Sequence, residues 1–143
     1  MKIRRSLVAL IALTFSTFFA SAQRETRDGV FIHISHGADD PHRVLMALRM
    51  AEMMSEDKDV LVYFDIQAVE VVLKDAPDLQ FKDFPTAQAQ IKKLRERKVT
   101  LMACPGCLKA AGKTAADLAP GIQVADKKAF FAFTKGRILT LDY

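Results

Sequence analysis

KVTLMACPGCLKAAG, residues 98–112, is the stretch that decides the fold. Val99 to Ala103 is short, apolar and rich in strand formers, and it runs straight into Cys104-Pro105-Gly106-Cys107. Beyond the pair, LKAAG reads as a short helix stopped by Gly112. In open α/β sheets functional groups collect at the carboxyl ends of strands, and Cys104 falls where this strand turns into its helix. Pro105 suits the first helical turn, where its missing N–H costs nothing. The free N–H groups of a helix start favour an anion, so Cys104 is the candidate reactive thiolate. Lys109 and Lys113 follow closely and carry positive charge.

Working outward, Gly29 to Ser35 (GVFIHIS) and Asp59 to Asp65 (DVLVYFD) read as strands, the second nearly continuous in apolar residues as in a sheet covered on both faces. Between them a helix is expected over roughly 41–55, with Asp39 or Asp40 as cap and Pro41 in its first turn. Its Val44, Leu48 and Ala51 share one side, with Leu45 and Met53 nearby. Ala68 to Leu73 reads as a short helix, and DAPDLQFKDFPT as a polar, proline-marked loop. Thr86 caps a helix to about Arg97 with Ile91 and Leu94 turned inward. After Gly112 come a second short helical piece ending at LAPG, a brief strand at Ile122 to Val124, a helix from Asp126 through about Thr134, and a last strand at Arg137 to Leu141. Strands alternating with helices predict one three-layer α/β/α domain around a mainly parallel five-stranded sheet.

The first residues, MKIRRSLVALIALTFSTFFASAQ, place Lys2, Arg4 and Arg5 before an apolar run that ends in a small-residue site, Ala20-Ser21-Ala22. That order is the pattern of a secretory signal peptide, with cleavage expected after Ala22 and a periplasmic or secreted product, residues 23–143. The run is shorter than the roughly 20 apolar residues of a bilayer span, so no membrane anchor is expected after cleavage. Arg4-Arg5 is not followed by residues that strengthen a twin-arginine route. The chain has 21 Lys and Arg against 17 Asp and Glu; losing the three basic residues of the signal leaves 18 against 17, so the pI of about 9.2 belongs largely to the signal. No basic stripe with interleaved aromatics remains, which argues against nucleic acid as a partner. The basic residues of KKLRERK read as a solvated helix face.

Two cysteines do not make a disulfide framework, and 121 residues bury a core without one. The pair reads as redox or group-transfer chemistry, as a metal clip, or as two small buried residues. Thioredoxin-type chemistry also places CxxC at a helix start, but that fold needs most of its sheet after the motif, and only 36 residues follow Cys107. A zinc or copper site would need His33, His36 or His42 as further ligands, and nothing in the spacing demands it; no resident metal or cofactor is expected. His33 lies within a strand and reads as a core or interface residue, and His42 as solvent-facing. His36, at the carboxyl end of the first strand, is the candidate proton donor or orienter for the thiolate if that strand neighbours the one before Cys104. Asp39 and Asp40 read as caps rather than as acid–base groups.

From Gly29 to Leu141 the chain resembles the DsrE/DsrF-like, TusD-related family of sulfur-relay proteins. HGADDPHRVLMALRMAEMM is similar to the family's first loop and helix, and KVTLMACPGCLKAAG to its strand, reactive cysteine and glycine-closed helix, with Gly112 eight positions after Cys104. The resemblance implies a persulfide carrier in which Cys104 takes the place of the sulfur-accepting cysteine. It also implies a homo-oligomer, trimeric or hexameric, and a partner that is a small sulfur species or a thiol-bearing donor or acceptor protein. Three features differ from the relay proteins: the export signal, the second thiol Cys107, and Ala68 where the family usually has glycine. Cys107 could attack a persulfide on Cys104, releasing sulfide and leaving a disulfide. The expected function is thus sulfur handling on Cys104 with Cys107 as resolving thiol. The alternatives are an oligomeric binding protein for a metal or small ligand, and a thiol–disulfide exchanger without sulfur transfer.

Overall fold

The computed structural model describes residues 26–143, so the expected signal peptide lies outside the described residues. Five strands, β1 (Gly29–Ile34), β2 (Asp59–Phe64), β3 (Thr100–Ala103), β4 (Gln123–Val124) and β5 (Ile138–Asp142), form one sheet in the order β4-β3-β2-β1-β5. Every neighbouring pair is parallel. The helices are α1 (Pro41–Met54), α2 (Ala87–Glu96), α3 (Pro105–Ala110) and α4 (Lys127–Phe130), with 3-10 turns at Ile66–Val72 and Ala115–Asp117. Among the described residues no helix is long and apolar enough to cross a membrane.

Strand alternation sorts the sheet into two faces. Val30, Ile32 and Ile34 stand in register with Val60, Val62 and Phe64, and these last two with Leu101 and Ala103. All are buried in one apolar cluster with Val44, Leu45 and Leu48 of α1 and Ile91 and Leu94 of α2. Each Val, Leu, Ile or Phe among them contributes roughly 1.5–3 kcal/mol by leaving water. The other face carries Phe31, His33, Leu61, Tyr63 and Met102, and α4 lays Phe130 across it, 5.2 Å from the Phe31 ring and 5.4 Å from that of Tyr63. This is the expected α/β architecture, with a parallel five-stranded sheet between helices.

The caps fall where the sequence puts them. Asp40 accepts from the Arg43 N–H at the start of α1, and Thr86 from the Ala89 N–H at the start of α2. Asp39 instead holds the preceding loop, accepting from the Gly37 N–H at 2.7 Å. Gly112 takes φ +67°, the left-handed cap that closes α3 at little cost.

Three segments differ from expectation. The stretch expected as a helix from Ala68 to Leu73 is a 3-10 turn from Ile66, because Ile66 has φ +46° and the chain tightens there. The last helix ends at Phe130 instead of Thr134, since Thr134 turns back to donate to the Arg27 carbonyl and sets up β5 beside β1. Met53, expected near the apolar side of α1, is half exposed.

The KKLRERK face is exposed as expected, yet two of its cations do structural work. Glu52 of α1 is buried, and Arg49, Lys93 and Arg97 surround its carboxylate. Arg97 also donates to the Glu52 carbonyl at 2.8 Å. The cluster ties the end of α1 to the end of α2.

Candidate functional site

β3 delivers Cys104 to the carboxyl edge of the sheet, where its N–H bonds the Phe64 carbonyl at 2.9 Å. Cys104 is the N-cap of α3: its backbone is still extended, with φ −63° and ψ 120°, while its sulfur accepts from the Cys107 N–H at 3.4 Å. Both cysteines are free thiols and half-buried. The cap geometry follows from Pro105, which fixes the first turn, and from Gly106, which has no side chain to cover the sulfur.

The two thiols have opposite tempers. Burial pushes the Cys104 thiol up. Hydrogen bonding from the Tyr63 hydroxyl, the Cys107 thiol and the Cys107 and Gly106 N–H groups outweighs burial and holds Cys104 below the usual thiol range. Cys107 moves the other way: burial and the neighbouring Cys104 raise it, and a hydrogen bond from the Ile66 N–H opposes them only in part. Cys104 is therefore the more acidic thiol of the pair and Cys107 the less acidic. Burial, then the bond to Cys104, keeps the Tyr63 hydroxyl protonated far above its ordinary range, so it remains a donor.

A cluster of ionisable groups lies along the same edge of the sheet. His33 of β1 is in register with Tyr63 of β2 and with Asp142 of β5, and their side chains share a face. Nδ1 of His33 is 2.8 Å from Asp142 Oδ1, and Nε2 is 2.9 Å from Asp65 Oδ2. The second contact is an ion pair and not an aligned hydrogen bond, and Asp65 Oδ1 has no partner. Burial acts to lower the His33 pKa, but Asp65 and then Asp142 outweigh it, so the imidazolium is favoured. Asp142, His33, Tyr63, Asp65 and Cys104 thus form a polar row across β5, β1, β2 and β3.

Of the residues expected at the site, Cys104 and Cys107 meet. His36 does not join them through a strand pair: β2 lies between β1 and β3, so the neighbouring strands its role required do not exist. His36 Nδ1 is instead 2.6 Å from Asp39 Oδ2, on a loop whose Gly37 packs against the Gln67 carbonyl. His42 is exposed and stacks on Phe81, with ring centroids 4.3 Å apart. The three histidines go to three different environments, and among the described residues no group of three or more His, Cys, Asp or Glu is placed to hold a metal ion.

Tyr63, Asp65 and Asp142 were not singled out by sequence. The signal for Tyr63 and Asp65 was present in DVLVYFD, whose period of two puts both on one face at the strand's end, but selecting that face required the strand order.

No curated protein matches the chain in sequence. Among solved structures, the ychN protein of E. coli superposes with a TM-score of 0.62 at 17% identity, over 80% of this chain and 99% of that one. The MTH1491 protein of Methanobacterium thermoautotrophicum, described as of unknown function, does so with a TM-score of 0.57 at 17% identity, again over 80% and 99%. These likenesses show a shared fold. The sequence model of the DsrE/DsrF-like family matches residues 28–137, a span that runs from the start of β1 to the approach to β5 and contains both cysteines. The chain belongs to the DsrE/DsrF-like family.

Proposed function

We propose that this protein accepts sulfane sulfur as a persulfide on Cys104 and that Cys107 resolves it. The observation that carries this reading is the asymmetry of the pair: Cys104 caps α3 with its sulfur accepting from the Cys107 N–H at 3.4 Å and has the lowered thiol pKa, beside a second thiol whose pKa is raised. In the loading step the Cys104 thiolate attacks the outer sulfur of a donor R–S–SH. The Cys104–S–SH bond forms, the donor S–S bond breaks, and R–S⁻ leaves. In the resolving step Cys107 loses its proton and attacks the Cys104 sulfur. HS⁻ leaves, a Cys104–Cys107 disulfide remains, and an external dithiol reduces it to restart the cycle.

The donor and acceptor are a small sulfur species or a thiol-bearing protein. The protein is proposed to act outside the cytoplasm, on the strength of the signal pattern in residues 1–22, and as a homo-oligomer. The exposed Ile138 and Leu139 on the edge strand β5, with Phe131 beside the sheet, support an assembly that covers them.

Intact-mass spectrometry after exposure to polysulfide tests the reading on wild type, Cys104→Ser and Cys107→Ser. One sulfur gained by Cys107→Ser and none by Cys104→Ser is the expected result. No adduct on any form, with wild type losing only two hydrogens, would overturn sulfur transfer in favour of a thiol–disulfide exchanger. Stoichiometric metal without an adduct would point to a binding protein.

A further inference from the structure

His33 is the least expected feature of the edge. It stands in a strand, half-buried, with each ring nitrogen within 3 Å of a different carboxylate. One carboxylate, Asp142, is well exposed, and water screens it. The other, Asp65, is largely covered, and its Oδ1 has no hydrogen-bond partner. A covered carboxylate with one oxygen unpartnered depends on its counter-ion. Asp65 also immediately precedes the Ile66–Val72 turn, which packs against α3, so its negative charge acts on Cys107 and on Tyr63.

We infer that His33 is the counter-ion of the sulfur site: clamped between Asp65 and Asp142, its imidazolium cancels the Asp65 charge felt by Cys107 and lets the second thiol ionise. The role deepens the persulfide reading and rests on it for its biological meaning. His33 is a positioning residue, since it acts through Asp65 and does not touch a sulfur. Among the described residues the titratable groups facing it are Asp65 beyond β2, Tyr63 on β2 and Asp142 on β5; the Phe31 ring stacks beside it, and the Tyr143 N–H bonds its carbonyl.

The consequence is specific to one step. Loading at Cys104 depends on donors that His33 does not supply. Resolution depends on a Cys107 thiolate, which a bare Asp65 opposes. The test measures Cys107 alone, in the Cys104→Ser background, by following iodoacetamide alkylation between pH 6 and 10 by intact mass. It needs no sulfur transfer, so it can fail while the persulfide reading stands, and the reverse. Four proteins are compared: the parent, His33→Asn, Asp65→Asn, and the double variant.

His33→Asn should slow alkylation at pH 8 by about tenfold, equivalent to a thiol pKa raised by about one unit. Asp65→Asn should speed it, and in that background His33→Asn should have no further effect. In the wild-type cysteine pair, His33→Asn should retain polysulfide loading and lose sulfide release by a similar factor. A merely structural histidine predicts equal loss with and without Asp65, or loss of loading together with release, and either result would overturn the proposal. Should His33→Asn fail to fold, Asp65→Asn alone still decides: an unchanged or slower Cys107 removes the premise that Asp65 opposes its ionisation.

Discussion

The backbone N–H of Cys107 points at the sulfur of Cys104 across 3.4 Å. One residue thereby stabilises the thiolate it would later attack, and the two thiols, only three positions apart, separate in acidity. The first prediction concerns that order. Cys104 lies below and Cys107 above the ordinary thiol range, so one equivalent of iodoacetamide at neutral pH should label Cys104 alone. Peptide mapping reads the site. Cys104→Ser should react at least about tenfold more slowly than Cys107→Ser, which corresponds to a separation of at least about one pKa unit. Comparable rates in the two variants would remove the asymmetry on which the proposed mechanism stands.

Tyr63 makes a second, independent contribution. Its ring packs on Phe130 and Phe31 whether or not it carries a hydroxyl, so Tyr63→Phe isolates the hydrogen bond from the packing. Losing that bond leaves burial less opposed at Cys104, and the thiol pKa rises. A hydrogen bond to a charged group is worth about 1.5–3 kcal/mol when well sheltered, and the half-buried sulfur calls for the low end or less. Cys104 alkylation at neutral pH should therefore fall by roughly five- to tenfold, while the urea midpoint shifts little. An unchanged pH profile would show that the N-cap of α3 suffices by itself.

The contrast between what sequence revealed and what it hid has a physical basis. Local patterns sufficed for β2, expected over 59–65 and found as Asp59–Phe64, and for α1, expected over 41–55 and found as Pro41–Met54. Strand alternation, caps and Pro41 act within a few residues of themselves. Cys104 was legible for the same reason: the strand, the cysteine and the Pro105 helix start are contiguous. The ionisable cluster along the same edge was not. His33, Asp65 and Asp142 meet because β1 lies between β2 and β5, an order that no local pattern encodes. The expectation for His36 failed at that same point, since it needed β1 beside β3. Ile66 was hidden differently, because isoleucine gives no hint of a left-handed backbone.

Far from the cysteines, Glu52 should govern acid stability. The side chains of Lys93 and Arg49 hold its carboxyl below the usual glutamate range against the opposing effect of burial. A carboxyl depressed in the folded state contributes stability above its unfolded pKa, near 4.5, and loses it as pH falls through the folded value. Glu52→Gln should thus cost about 2 kcal/mol at pH 7, below the value for a fully buried pair because Arg49 and Lys93 are about half exposed. The two proteins should converge in stability as pH drops below the folded value. Urea titrations in steps from pH 7 downward check this, and a gap that does not narrow as pH falls would assign the effect to packing.

Ile66 carries a testable strain. A β-branched residue at φ +46° is rare, and such a conformation costs on the order of 1–3 kcal/mol unless its surroundings hold it. The side chain itself is 62% exposed, so it recovers little by burial. The chain holds Ile66 between Asp65, whose N–H bonds the Ile34 carbonyl, and Gln67, whose N–H bonds the Ser35 carbonyl. That grip fixes the direction of the Ile66 N–H, which acts to lower the Cys107 pKa. Glycine adopts this backbone freely but adds about 0.5–1 kcal/mol of unfolded-state entropy. Ile66→Gly should come out more stable by about 1 kcal/mol, the difference between strain relieved and entropy added. With the backbone free to leave its present angle, the N–H should aim less consistently, and Cys107 alkylation should slow by a few-fold. A protein destabilised by about 1 kcal/mol, as an ordinary exposed Ile→Gly change would be, would mean that the loop stores no strain for the second thiol to use.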